Sequence, residues 1–190
     1  MTEEQRYTDT QKFPGFELRH YEACVVADVH VDGSFESAGS AGFRPLIQYI
    51  SGGNSPAQKV AMTAPVIQQP SQPSQSKKIA MTAPVLQSST SNHHIVSFVM
   101  PAGSTLEQMP KPTDSRVTLR AISEQLVAID KFSGRWTSSG YDERLKKLHV
   151  SVTSAGFTPI GDARFARFDP PWTPWFMRRN EIQLPVSRTP

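Results

Sequence analysis

The groups in this chain with the chemistry for metal binding or acid–base work are five histidines, one cysteine and scattered carboxylates. The histidines are His20, His30, His93, His94 and His149. No two stand four residues apart on a helical stretch, so a zinc-type pair is not expected. His93 and His94 end a polar run, QSSTSNHH, and are expected to be solvated. His149 borders the apolar stripe of a helix, and His30 points away from the alternating valines of its strand, toward solvent. His20 differs. In FELRHY it alternates with Leu18, while Arg19 shares the opposite face with Tyr21. A neutral imidazole beside an apolar face is competent to coordinate an iron such as that of haem. The other reading of His20 is a structural histidine bonded across a sheet.

Cys24 sits among Ala23, Val25 and Val26, surroundings that raise a thiol pKa, so its expected role is strand packing. A single cysteine also excludes an internal disulfide. The carboxylates show no acid/base pairing. Asp130, between Ile129 and Lys131, is the least comfortable of them. Glycine-rich phosphate loops, GxSxG elbows and HExxH pairs are absent from the sequence. Met62, Met81, Met100 and Met109 have side chains that fill a core or line an adaptable pocket.

The elements that position these groups repeat in order. Residues 16–21 and 24–31 have strand character, with Val25, Ala27, Val29 and Val31 alternating against Val26, Asp28 and His30. Ser34 is set to cap a helix reaching Ile50, whose apolar face is Phe35, Ala38, Gly42, Leu46 and Ile50. Pro45 predicts a kink or division of that helix. Phe43, Ile47 and Tyr49 lie off this face, giving the helix apolar surface beyond one sheet contact, suited to a pocket or a dimer contact. Strands are expected over 59–68 and 95–100. The second half then offers strands at 116–122 and 126–132 and a helix over 139–154 with the stripe Tyr141, Leu145, Leu148 and Val152. Final strands follow at 163–168 and 181–186. Two ββαββ-type units imply an α+β domain built on a curved antiparallel sheet or open barrel.

Length and composition agree with one domain. The chain has 190 residues, 37% hydrophobic and 19% charged, which is enough apolar surface to form a core. No run reaches the roughly 18 apolar residues of a membrane span. The opening MTEEQRYTDTQ is polar and acidic, unlike a signal or transit peptide, so a soluble, cytoplasmic protein is expected. The net charge of +3 is too small and dispersed to read as a nucleic-acid surface. Sixteen prolines are an excess with particular addresses. Some flank the low-complexity IQQPSQPSQSKK, and others form PPWTPW, expected as a packed loop. KVAMTAPV at 59–66 recurs as KIAMTAPV at 78–85, with one conservative change in eight residues. A tandem duplication follows, in which one copy fills a strand and the other is looped out.

FELRHYEACVVADV, GFRPLIQYISGGN, KVAMTAPV, VSFVMP, FSGRW and RFDPPWTPWFMRRNEI together resemble the SOUL haem-binding family, in family order. The resemblance implies a distorted antiparallel β-barrel flanked by two helices, in two pseudo-symmetric halves. One domain is expected over 13–186 with halves 13–101 and 115–186 and tails at 1–12 and 187–190, and the low-complexity stretches and duplicated block, a departure from the family pattern, give a looped insertion at 67–94. The resemblance implies non-covalent binding of haem or another tetrapyrrole, a carrier or buffer role, and no catalysis. The first helix then supplies Phe43, Ile47 and Gln48 to a shallow apolar pocket. Arg44 meets the propionates; Arg178-Arg179-Asn180-Glu181 is available for the same role but is read first as stitching the last strand to its neighbours through salt bridges and hydrogen bonds. His20 stands where some members carry a proposed axial ligand. A module for other planar hydrophobic molecules, or a hydrolytic enzyme, are the alternatives.

Overall fold

The computed structural model describes residues 3–55, 60, 63–70, 93–135, 137–169 and 172–189. Its first half contains β1 (Glu3–Glu4), β2 (Tyr7–Phe13), β3 (Phe16–Tyr21), β4 (Cys24–Asp32), α1 (Phe35–Ile50), β5 (Asn54–Ser55), β6 (Thr63–Pro70) and β7 (His93–Val99). After the short β8 (Lys111–Pro112) come β9 (Val117–Ile122), β10 (Gln125–Phe132) and α2 (Ser138–Ser154). The chain closes with β11 (Phe157–Pro159), β12 (Arg164–Arg167), a 3-10 turn at Trp175–Met177, and β13 (Asn180–Arg188).

Both helices start on the side-chain caps their sequences offer. The Ser34 hydroxyl accepts from the Ser37 N–H, and Thr137 accepts from Gly140. The backbone turns into α1 at Gly33, whose φ of +135° suits glycine. Pro45 does not divide α1, which runs as one helix over its 16 residues. Pro45 is buried, so packing of its ring offsets the lost hydrogen bond, a cost of about 3 kcal/mol in an exposed helix. α1 also lies unusually close to its sheet, because a Cβ on Gly42 would fall 2.5 Å from Val96 Cβ.

The main sheet has the order β2-β3-β10-β13-β12-β6-β7-β4-β9, with β1 on β6 and β11 on β13. Every pair along that path is antiparallel. The two halves exchange their opening strands: β3 pairs with β10 of the second half, and β9 pairs with β4 of the first. α2 covers Phe16, Leu18, Phe165, Ile182 and Leu184, while α1 covers Val25, Ala27, Val96 and Phe98. The fold is therefore the expected α+β architecture, a curled antiparallel half-barrel carrying two helices.

Several segments depart from expectation. Residues 7–12, expected in a tail, form β2 along β3 together with Phe13, and β13 runs past 186 to Arg188. Strands extend to Pro70 and resume at His93, so the expected loop 67–94 is narrower at both ends. Residues 63–66 of the first AMTAPV copy open β6, while Met62 of that copy and the whole second copy, with Met81, lie outside the described residues. Tyr49 is not an outer residue of α1: it is 1% exposed and donates to the Pro110 carbonyl at 3.0 Å. His94 is buried against Phe35 rather than solvated, its ring edge-on at 6.2 Å. Met100 is buried in the α1 core, which settles it as a core filler.

Candidate functional site

Helical spacing places Phe43, Arg44, Ile47 and Gln48 on the outward flank of α1, and its cap, buried glycines and Pro45 fix that flank. Phe43 keeps 37% of its surface exposed while its ring meets Phe98 edge-to-face at 5.3 Å. Beneath it, Ile47 packs partly into the α1 core. Arg44 and Gln48 are exposed, and Arg44 has no ion-pair partner among the described residues. The four residues form an apolar seat, one free guanidinium and one amide. That combination suits the face of a planar apolar ligand with carboxylates at its rim.

His20 lies on β3, opposite Leu126 on one side and Thr8 on the other. Its side chain is 34% exposed, and Nε2 stands 4.0 Å from a Glu124 carboxylate oxygen. None of these neighbours belongs to α1. β3 is backed by α2, so the structure sets His20 and the α1 residues in different helix layers. Among the described residues, no group of three His, Cys, Asp or Glu side chains could hold a metal ion. The donor set therefore fits a tetrapyrrole at the α1 seat through packing and charge. At His20 it offers a single imidazole.

On the sheet face opposite the helices is a polar cluster of which the sequence pointed to Arg19, Tyr21 and Glu181, but not to their meeting. Arg19 holds Glu181 through both terminal nitrogens at 3.1 Å, the Tyr21 hydroxyl at 2.8 Å, and Glu17 at 2.8 Å. Gln183 donates to the Glu181 carboxylate, and Lys131 donates to Glu17. Burial opposes the Arg19 charge, but Tyr21 and Glu181 outweigh it and raise its pKa. Burial and the Glu181 charge raise the Tyr21 phenol. For Glu17, burial is outweighed by hydrogen bonds from Lys131 and Arg19, which lower its pKa. The even spacing of Glu181 and Gln183 in EIQLPV was the available signal for their shared face.

Other candidates resolve structurally. Burial raises the Cys24 thiol, which accepts from the Gln5 amide at 3.4 Å, as strand packing predicts. Asp130 is met by Arg144 at 3.1 Å. Asp28 is bound by Arg120 through one carboxylate oxygen, while its other oxygen and the Ser97 hydroxyl are buried without hydrogen-bond partners among the described residues. Arg179 pairs with Glu4, and Asn180 donates to the Gly134 carbonyl, so the RRNE segment ties down the last strand as well as any rim. PPWTPW is not a packed loop over its described part. Trp172 is 83% exposed and Trp175 49%. A groove of about 360 Å³ lies at Lys12, Phe13, Glu17 and Lys131 and includes neither His20 nor the α1 residues.

A curled antiparallel sheet with one helix backing each exchanged half defines a two-fold α+β domain, here with its candidate ligand surface on a helix flank. The family model described as SOUL heme-binding protein matches residues 2–77 and 71–185, and the chain belongs to that family. The two matches overlap at 71–77, between the copies of AMTAPV. No curated protein matches the chain. The crystal structure of the EcmrR C-terminal domain is similar in fold, with TM-score 0.66 at 13% identity over 96% of this chain and 100% of that one. The same protein in a cryo-EM EcmrR–DNA complex gives 0.62 at 13% identity, over 90% of this chain and 57% of that chain. A hydrolase encoded by lin2189 from Listeria innocua gives 0.58 at 12% identity, over 90% and 91%. At these identities the likeness is one of fold. No described helix is long and apolar enough to cross a membrane.

Proposed function

We propose that this protein binds a tetrapyrrole on the outer flank of α1 and acts as a carrier or buffer. The observation that carries the reading is the exposed Phe43, seated on Phe98, directly beside the unpaired Arg44. Phe43 and Ile47 would take one face of the macrocycle, Arg44 a propionate, and Gln48 a second polar edge. Membership of a heme-binding family supports the ligand class, and haem is its natural first test. When bound, haem would supply redox or ligand-binding chemistry, held at the α1 flank by Phe43, Arg44, Ile47 and Gln48. This chain's residues exclude water from one face and hold the charge at the rim.

A second reading has its own observation. His20 is half-exposed with a carboxylate 4.0 Å from Nε2, an arrangement that can orient an imidazole toward a metal. Titration of haem into wild type, Phe43→Ala/Arg44→Gln and His20→Ala separates the two. The α1 seat predicts about tenfold weaker binding in the first variant and an unchanged Soret band in His20→Ala. A Soret band altered only in His20→Ala moves the site to β3. No Soret change with wild type transfers the α1 seat to other planar apolar molecules, the alternative ligand class. A hydrolytic role has weaker support, since the hydrolase likeness is one of fold.

A further inference from the structure

The loop before β13 exposes Trp172, Trp175, Phe176 and Met177, at 83%, 49%, 60% and 65% of their surfaces. Four large apolar side chains on one short tip are unlike a solvated loop, and a patch of this kind marks an interaction site. We propose that this tip is a membrane-docking element that sets its aromatic side chains into the headgroup layer of an anionic bilayer.

Composition and charge favour that occupant. Tryptophan, phenylalanine and methionine beside arginine is the make-up of interfacial anchors. Arg135 lies over the Trp175 ring at 5.6 Å and has no carboxylate partner among the described residues. Arg178 and Arg179 follow in the chain, and the nearby acids are engaged: Asp169 accepts from the Arg179 N–H, and Glu4 pairs with the Arg179 guanidinium. The tip therefore presents the Arg135 cation beside its aromatic side chains to a negative surface. Partial insertion of a few side chains with help from charge is enough for reversible membrane binding.

The tip is also preformed. Met177 N–H donates to the Pro174 carbonyl at 2.9 Å, and the Arg178 side chain donates to the Thr173 carbonyl at 2.7 Å. Asn180 fastens its base to Gly134, and the Arg179 guanidinium stacks on Phe168 at 4.0 Å. Insertion thus orders few new rotors, which lowers its entropic cost. The inference stands apart from the tetrapyrrole reading, since it uses none of the α1 seat residues.

The test is sedimentation of the full chain with sucrose-loaded vesicles, of phosphatidylcholine alone or mixed equally with phosphatidylglycerol, with tryptophan emission recorded. Two of the three tryptophans lie on the tip, so its insertion shifts the emission to the blue. The expected result is binding to the anionic vesicles, weakened about tenfold in Trp172→Ala/Phe176→Ala and about threefold in Arg135→Gln. Added salt should reduce it further. Trp172→Ser alone, at the most exposed position, guards against misfolding and should lose about threefold. Absence of wild-type binding to anionic vesicles overturns the proposal, as does undiminished binding by the aromatic variants. A wild-type dimer dissolved by the same substitutions would assign the tip to a second copy and equally overturn it.

Discussion

Arg19 and Glu181 show what single residues do here. Both are about 2% exposed, and their bidentate pair joins β3 to β13 across the sheet. Removing Arg19 strands Glu181 as a buried charge, and removing Glu181 leaves buried Arg19 with the Glu17 carboxylate alone, whereas removing both exchanges the pair for packing. Glu181→Ala is therefore expected to cost about 3–5 kcal/mol, and Arg19→Met/Glu181→Met clearly less. Denaturant unfolding of the three proteins decides it, and equal losses would refute the coupling. The parity of Arg19 and Tyr21 was legible in FELRHY, but the partner 162 residues away was not. His94 carries a pH effect that the polar run around it concealed. Burial lowers its pKa from 6.5, opposed by a hydrogen bond involving the Gly33 backbone and by Glu36; His93 and Arg167 add to the lowering. The unfolded chain then takes up the proton first. Stability is intact above about pH 6.5 and falls as pH drops through that value. His94→Phe keeps a ring against Phe35 and cannot titrate, so its stability should decline less over the next pH unit down.

At the scale of elements, α1 depends on glycine where it meets β7. Gly42→Ala gains about 1 kcal/mol of helix propensity but sets a methyl against Val96 at 2.5 Å. Rigid backbone on one side and a β-branched side chain on the other leave little room to yield. The net expectation is a loss of about 1–3 kcal/mol, read from the unfolding midpoint at constant m-value. α1 and α2 were legible because each is periodic against one buried face, and β3 and β4 because strand-forming residues fill them, although both strands bury residues on each face. β2 was not: YTDTQKF is a bulged edge strand, polar on both sides, and edge position erases the alternation that identifies a strand. The duplicated block makes a further prediction. In β6, Gln68 accepts from Arg167 at 2.7 Å and donates to the Phe35 carbonyl at 3.0 Å, with Ile67 buried before it. The second copy carries Leu86 and Gln87 at the same offsets from AMTAPV. Deleting residues 67–85 joins the first AMTAPV directly to Leu86-Gln87 and should leave a folded protein with its melting temperature changed by only a few degrees. A collapse of the cooperative transition would show that the 19 extra residues, 85 − 67 + 1, support the fold.

For the whole molecule, the repeat of elements was readable in the sequence while the exchange between repeats was not, because strand pairing is set by contacts far apart along the chain. Nothing in FELRHY or RVTLRAI says which neighbour each will choose. In the structure β3 completes the layer under α2 and β9 completes the layer under α1, so each half lacks a strand that only the other supplies. β6 and β12 join the layers again at the centre of the sheet. Neither half can then close its core alone: residues 1–114 leave β4 without its β9 edge, and residues 115–190 leave β10 without β3, exposing Ala128 and Ile182 of the α2 core. Expressed separately, the fragments 1–114 and 115–190 should show no cooperative thermal transition by circular dichroism. Mixed in equal amounts, they should recover one, since the exchanged strands restore both layers. The intact chain should unfold in a single transition, with dichroism and tryptophan emission coincident. A fragment 115–190 that melts cooperatively by itself would mean that α2 and its three own strands suffice, and that the exchange decorates two independent domains rather than making one.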